Sequence, residues 1–351
     1  MNATVLVVTT VHHPDDTRIR ERLIRTLGGA FSILYAARVP GPSDVGGLTW
    51  VPLAGGRVAR NVRALRPLLR SRWDLAVVHD PELVPAAAFA RLVRRRPVVF
   101  DVHEDLPAQI GSKTWIPSAL KPFVRLISRG VLWLAERTLT LTLAEASYQH
   151  LFKTEHPVFP NFPHDLTGDL VADGDGSAIY VGDVSEERGL GDAVRACAAA
   201  GVPMKVVGPV SVEMGRRLGE TSRDSGGGLT LLGRLSHREA MSHVAEASVG
   251  LSPLRAEPNY VNSLPTKTLE YLAMGVPVVA TDLPGTRDHI AELAAVELVE
   301  PGDVRSMAAA IAASVDPAKK KAALAQVEVV RSRYRWPAED VLAFYTCLVN
   351  P

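Results

Sequence analysis

Short apolar runs recur through the first half of the chain at Val5–Thr9, Phe31–Tyr35, Asp74–Val78, Pro97–Phe100 and Leu139–Leu143, with segments of helical spacing between most of them. Runs of this length, rich in valine and leucine, suit strands covered on both faces. The second half restarts the rhythm at Ala178–Gly182 and continues through Met204–Val207, Leu229–Leu232, Gly250–Pro253 and Val276–Ala280. After Asp282 only helical patterns are expected. Strands alternating with helices predict an α/β fold of doubly wound parallel sheets, one in each half. The first half closes near Val158–Pro163, and the Gly- and Asp-rich stretch 169–177 reads as the connection. The expected domains are therefore 1–165 and 166–336. Tyr334-Arg335-Trp336-Pro337 then opens a last helix over 337–351, with Val341, Phe344, Tyr345 and Leu348 on one side.

The stretch Asn262–Asp282 reads as loop, helix and strand. Pro265 lacks an N–H and holds φ near the helical value, so it suits a helix start. Leu269, Leu272 and Ala273 recur at helical spacing, and Gly275 stands where a left-handed cap would end the helix. Lys267 sits in the first turn and Glu270 three residues on. A lysine there opposes the helix dipole unless an anion is also bound. A helix start with a lysine makes a phosphate site, and a carboxylate one turn later can accept hydrogen bonds from a ribose. A solvated Lys–Glu pair has the same spacing.

In a doubly wound sheet, ligands bind at the carboxyl ends of strands, so the loops that follow them hold the candidate chemistry. The first is Val11-His12-His13-Pro14-Asp15-Asp16-Thr17-Arg18-Ile19, without the glycines of a dinucleotide fingerprint. His12, His13, Asp15 and Asp16 could gather a metal, but Asp16 reads more simply as a helix N-cap with Glu21 in the first turns. His79-Asp80-Pro81-Glu82-Leu83 and Asp101-Val102-His103-Glu104-Asp105 follow two further strands, and Glu104 and Asp105 are expected to cap the next segment. Arg57, Arg60, Arg63, Arg66, Arg70 and Arg72 stripe a helical segment, and Arg91, Arg94, Arg95 and Arg96 form a second cluster. Each is either a solvated face or a surface for anionic lipid. After Trp115-Ile116-Pro117, the segment Ser118–Arg137 mixes Phe123, Leu126, Ile127, Val131, Leu132 and Trp133 with Lys121, Arg125, Arg129 and Arg137. That pattern predicts a helix packed on its own sheet, an interfacial membrane helix being the other reading.

The 351 residues suffice for two domains with separate cores. Two cysteines, Cys197 and Cys347, exclude a disulfide framework, and no Cys/His spacing fits zinc. The chain opens on a strand, Thr4–Thr9, rather than a basic flank and apolar leader, and no apolar run approaches the ~18 residues of a spanning helix. A cytoplasmic protein is expected. Its net charge of +1 hides an asymmetry: residues 1–165 carry 21 Lys/Arg against 14 Asp/Glu, and residues 166–351 carry 18 against 24. A basic half points to an anionic partner such as a membrane surface, a phosphorylated lipid or an acidic glycan, and so to peripheral contact with the inner membrane face. Without aromatic interleaving or a reading motif, nucleic acid is not expected.

Pro265, Lys267, Glu270, Tyr271, Gly275, Pro277, Val278 and Val279 resemble the signature of glycosyltransferase family 4, retaining nucleotide-sugar transferases of the GT-B fold. The resemblance spans nearly the whole chain and implies two Rossmann-like domains facing a central cleft, the first for the acceptor and the second for the donor. It implies that Glu270 holds the donor ribose, while Leu264, Thr266 and Lys267 bind the diphosphate. Asn262 stands where the family often has a first glutamate, so an amide would face the sugar hydroxyls. Beyond Gly182, Asp183 takes the place of a family arginine, and Arg188 keeps the positive charge of a family lysine. Gly233, Arg234 and Leu235 resemble the turn that holds the base, and Asp282–Gly285 is implied to line the sugar pocket. His103 resembles the histidine beside the donor sugar. His12, His13, Asp16, Arg18, Asp80, Glu82 and Glu104 are implied on the acceptor side, with Asn161 at the entrance to the linker. The last helix is implied to cross back to the first domain.

The activity so implied is a hexosyltransferase-type reaction, from a nucleotide-diphosphate sugar to a hydroxyl of a glycan, glycolipid or natural product. Neither cofactor nor metal is expected, because Arg188, Lys267 and the N–H groups of Leu264 and Thr266 can carry the leaving-group charge. His103, Arg188, Lys267 and Glu270 are the residues expected to carry catalysis. Two other readings are a sugar-nucleotide epimerase of similar build, for which no acid and base around the sugar C2 can be assigned, and a non-catalytic nucleotide-sugar-binding protein, which Asn262 and Asp183 would suit.

Overall fold

A computed structural model describes residues 3–42, 44, 46–112, 116–163, 170–258 and 260–349. The chain divides into two compact units, Met1–His164 with Trp336–Pro351, and Asp165–Arg335. Trp115 and Asp169 lie outside the described residues.

The first unit holds β1 (Thr4–Val8), β2 (Ser32–Arg38), β3 (Leu48–Leu53), β4 (Leu75–Val78), β5 (Val98–Val102) and β6 (Thr140–Leu143) in the order β3-β2-β1-β4-β5-β6. All neighbours are parallel. A π-helical segment, Thr17–Ile24, runs into α1 (Arg25–Gly28), and α2 (Arg57–Arg70), α3 (Val84–Arg94), α4 (Leu106–Ser112) and α5 (Lys121–Thr138) follow. One face of the sheet packs under α2, α3 and α5 through Ala64, Leu68, Ala87, Ala90, Leu132 and Ala135. The other face takes Ile19 and Leu23 of the π-helical segment.

The second unit repeats the plan with β7 (Ala178–Val181), β8 (Met204–Val207), β9 (Leu229–Gly233), β10 (Val249–Ser252), β11 (Val278–Thr281) and β12 (Val296–Val299), ordered β12-β11-β10-β7-β8-β9. Its helices are α6 (Leu190–Ala200), α7 (Val212–Asp224), α8 (His237–Glu246), α9 (Thr266–Ala273), α10 (Pro284–Ile290), α11 (Val304–Ser314), α12 (Pro317–Ala325) and α13 (Val327–Arg333). Gly275 ends the turn after α9 at φ +69°, where a Cβ would meet the Leu324 side chain at 2.5 Å.

The last helix, α14 (Ala338–Val349), belongs to the first unit. Trp336 donates its backbone N–H to the Pro163 carbonyl at 2.9 Å and its indole N–H to Thr26 Oγ1 at 2.9 Å. Val341 and Tyr345 bury beside Ile19 and Leu23, and Phe344 meets Phe159 edge-on.

Two strands escape the hydrophobic pattern. β3 and β12 both lie at sheet edges, and β12 corrects the expectation of helices alone beyond Asp282. Edge strands are partly solvated, so β3 tolerates Pro52 and Thr49 and β12 tolerates Glu297, and neither reads as an apolar run. Helix α5 forms as expected, with an outer face the sequence left open. It packs on its sheet through Leu132 and Ala135, but Phe123, Leu126, Ile127 and Trp133 face outward. Among the described residues, no helix is long and apolar enough to cross a membrane.

Candidate functional site

In the second unit the strand order reverses between β7 and β10, the position at which doubly wound sheets bind ligands. The loop after β7 must pass close to the end of β10. Gly189, at φ +72°, permits this, since a Cβ there would stand 1.8 Å from the Pro253 carbonyl oxygen. Helix α9 begins beside the same strand ends. Its Tyr271 hydroxyl accepts from the Val181 N–H at 2.8 Å, which ties the helix to the end of β7.

This tie aims Lys267 across β7. Its Nζ stands 3.8 Å above the Tyr180 ring, and a Cβ on Gly182 would lie 3.3 Å from it. The side chain is buried and Nζ has no hydrogen-bond partner among the described residues. Burial, and then the charge of Arg188, push the lysine pKa well below its ordinary value, against the opposing pull of Asp183 and Glu270. Arg188 is held by the Tyr260 ring 5.7 Å away and by Asp183 at 3.9 Å, and its charge is favoured by the neighbouring Tyr180 and Tyr260. Glu270, also buried, receives His237 Nε2 at 3.2 Å. Thus Arg188, Lys267 and Glu270 converge on the end of β7 and the start of α9. Two cations at a helix start bind a dianion, and a carboxylate one turn along can accept from hydroxyls.

The other expected donor residues surround this centre to different degrees. Gly233, at φ +69°, ends β9 and accepts from the Gly208 N–H at 2.8 Å. Arg234 is exposed, Leu235 is half-buried, Leu264 sits in the turn into α9 and Thr266 is the helix's first residue. Asn262 is exposed, and its backbone carbonyl packs against Gly285. Tyr180, Tyr260 and His237 were not legible from sequence. Tyr180 reads as strand core, and His237 as the first residue of a capped helix.

The first unit gathers a second polar cluster at the carboxyl ends of β1, β4 and β5. Asp80, fully buried, accepts from the hydroxyls of Thr9 and Thr10 and lies 3.4 Å from His12 Nε2. Asp16 caps the π-helical segment by accepting from the Arg18 and Ile19 N–H groups and also faces His12 at 3.5 Å. Burial alone would lower the His12 pKa, but the hydrogen bond and charge of Asp16, aided by Asp80 and Glu104, raise it to about 9. His103 lies against His12, its own pKa lowered by burial and by the His12 charge.

Arg18 takes a different place. It is buried, donates twice to Asp101 at 2.7 Å, and donates also to the Phe159 carbonyl and Asn161 Oδ1. It therefore acts on the cluster through Asp101 rather than by facing a ligand. Asp105 caps α4 through the Ala108 N–H, Glu104 is half-buried, His13 accepts from the Asp15 N–H, and the exposed Glu82 pairs with Arg57. His79, Asp101 and His103 offer three ligand atoms within 4.8 Å of one another. Asp101 already accepts from Arg18 and Thr142 through both oxygens, so this set reads as a hydrogen-bonded core. Glu145, after β6, is a further titratable group, pushed up to about 7 by burial.

Two parallel sheets of this order, one with Arg188 and Lys267 gathered at its switch point, define a two-domain Rossmann-like protein of the GT-B fold. The family pattern "Glycosyl transferase 4-like domain" matches residues 2–156, and "Glycosyl transferases group 1" matches residues 176–316. The chain belongs to the family 4 type of glycosyltransferases, enzymes that use nucleotide sugars. Among solved structures it is similar to the sucrose-phosphate synthase of Thermosynechococcus elongatus, with 17% identity, TM-score 0.76 and coverage of 99% of this chain and 98% of that one. Anabaena HepE in complex with UDP and glucose shows 15% identity, TM-score 0.74 and coverage of 98% of each chain. A glycosyltransferase from Rickettsia africae shows 13% identity, TM-score 0.71 and coverage of 99% of each chain. These likenesses concern the fold. Among curated proteins, none matches significantly.

Proposed function

We propose that this protein is a retaining glycosyltransferase that moves a sugar from a nucleotide-diphosphate sugar to a hydroxyl of a glycan, glycolipid or natural product, without cofactor or metal. The observation that carries this reading is Lys267. Its ammonium is buried without a hydrogen-bond partner among the described residues, beside Arg188 and one turn from Glu270. A diphosphate satisfies this arrangement, restoring the lysine to its charged form. As the bond from sugar to diphosphate breaks, negative charge grows on the leaving oxygens. Preorganised donors aimed there are each worth roughly 2.7–4 kcal/mol. Arg188, Lys267 and the N–H groups opening α9 are assigned this role, and Glu270 is assigned the ribose. The incoming hydroxyl attacks on the face the diphosphate leaves, so no protein nucleophile is invoked. His103 is assigned to the sugar and His12 and Asp80 to the acceptor side.

Anabaena HepE has been captured with UDP, with glucose and with UDP-glucose, which makes uridine nucleotides the first donors to try. The basic first half favours an acceptor that is lipid-linked or anionic, met at an anionic membrane face.

The test is a thermal-shift screen of nucleoside diphosphates and their sugars, followed by transfer to candidate acceptors with the product anomer read by NMR. One nucleotide is expected to stabilise the protein. Its sugar should emerge with the donor's anomeric configuration, and chelator should leave the rate unchanged. Inversion, or a rate that returns only with added metal, would overturn those parts of the proposal.

A further inference from the structure

We propose that the outer layer formed by α2, α3 and α5 is a docking surface for an anionic lipid bilayer. The three helices pack side by side over one face of the first sheet, α2 on α3 and α3 on α5. Among the described residues, eleven of the sixteen large apolar side chains that stand exposed lie on these helices or on the turn leading into α5. Along α5 they form one stripe at helical spacing, Phe123, Leu126, Ile127 and Trp133, each more than half exposed. On α3, Leu92 is 74% exposed with Phe89 one turn earlier, and on α2 Val58 is 78% exposed. A monomer in water has little use for so many exposed apolar side chains gathered on one layer.

Charge identifies the occupant. Arg66, Arg70, Arg91, Arg125, Arg129 and Arg137 are exposed on the same helices, and none forms an ion pair among the described residues. Helices α2 and α3 contain no acid, and the one acid on α5, Glu136, is taken up by the backbone N–H groups of Lys153 and Thr154. Arg137 stacks over Trp133 at 5.5 Å, an aromatic–cation pair suited to the headgroup level of a bilayer. Arginines on long stems can reach phosphates while the apolar stripe between them enters the acyl boundary. A nucleic acid offers those leucines no apolar phase, whereas a bilayer supplies both halves of the match.

The inference rests on the proposed lipid-linked or anionic acceptor, for which it supplies the surface that brings the enzyme to it. Its binding readout needs neither donor nor acceptor, and a donor enters only in the activity control. Purified full-length protein is sedimented with vesicles of phosphatidylcholine or of phosphatidylglycerol. Binding is expected to phosphatidylglycerol alone at low salt and to be lost in 1 M salt, where the Debye length is about 3 Å. Each surface arginine is worth roughly fivefold, about 1 kcal/mol, so Arg125→Glu with Arg129→Glu should weaken binding at least tenfold. Leu126→Ser with Ile127→Ser should weaken it comparably while circular dichroism and acceptor-independent donor hydrolysis stay unchanged. Equal binding to both vesicles, no binding, or binding indifferent to all four changes would overturn the proposal. So would a solution dimer that Leu126→Ser with Ile127→Ser dissolves, since the face would then belong to a second copy. A failed hydrolysis assay with intact vesicle binding would count against the transferase reading instead.

Discussion

His12 and His103 meet nitrogen to nitrogen, with their Nε2 atoms 2.8 Å apart. His103 Nδ1 lies 3.0 Å from the Asp101 carbonyl, which can only accept, so Nδ1 carries the proton and Nε2 receives one from His12. The pair is therefore an imidazolium donating to a neutral imidazole. Asp16 and Asp80 pay for the charge on the first, and the charge on the first keeps the second neutral.

This pair makes stability depend on pH on the alkaline side. An unfolded histidine titrates near 6.5, whereas His12 in the fold titrates at about 9. The folded state holds the proton more tightly, so the contribution is complete below about pH 6.5 and disappears as pH rises to about 9. Denaturant titrations should show the wild type losing roughly 1–3 kcal/mol across that window. His12→Gln should flatten the dependence. A wild-type profile that is level, or that rises, from pH 7 to pH 9.5 would refute the protonation state assigned to His12.

Lys267 is held for a ligand at the expense of the free protein. Lys267→Met removes a buried nitrogen that lacks a hydrogen bond and keeps most of the volume, so the free protein should be as stable as the wild type or about 1 kcal/mol more so. The thermal shift produced by a nucleoside diphosphate should nevertheless vanish. A variant that still shifted by the wild-type amount would remove Lys267 from the anion site.

Glu270 and Lys267 should separate by ligand. Glu270→Gln, which leaves an amide facing His237, is expected to weaken a nucleoside diphosphate about tenfold, the loss of one charge-assisted hydrogen bond. Inorganic pyrophosphate, which has no ribose, should bind both proteins alike in calorimetry. Equal loss for both ligands would mean that Glu270 acts through Lys267 rather than on the sugar.

Arg18 is expected to fail as a structural part. Arg18→Ala would strand the buried Asp101 carboxylate, a change that typically costs 3–5 kcal/mol. Arg18→Lys keeps the charge but not the two-pronged grip and should lose part of that amount. Chemical denaturation would measure both, and a loss below about 1 kcal/mol for Arg18→Ala would contradict the buried pair.

Buried strands, and the helix start at Pro265–Lys267, were legible because their signals are local. A parallel strand covered on both faces has to be apolar at nearly every position, as Val5–Val8 and Val98–Val102 are. The edge strands β3 and β12 have water on one side, so their residues carry no such mark.

The amino-acid sequence by itself determined the alternation that builds two doubly wound sheets, the helix that begins beyond Pro265, and the residue types able to hold a diphosphate. Which of those residues share a space was decided only in the folded chain. Lys267 reaches Tyr180 because Tyr271 ties α9 to the end of β7, and Arg18 is withdrawn from the acceptor side because Asp101, Phe159 and Asn161 surround it. These contacts join positions tens to more than a hundred residues apart, and a sequence pattern carries no record of pairings at that range. The outward turn of Phe123 and Leu126 has the same origin. Helix α5 is apolar on two sides, and only packing on the sheet through Leu132 and Ala135 settles which side remains exposed.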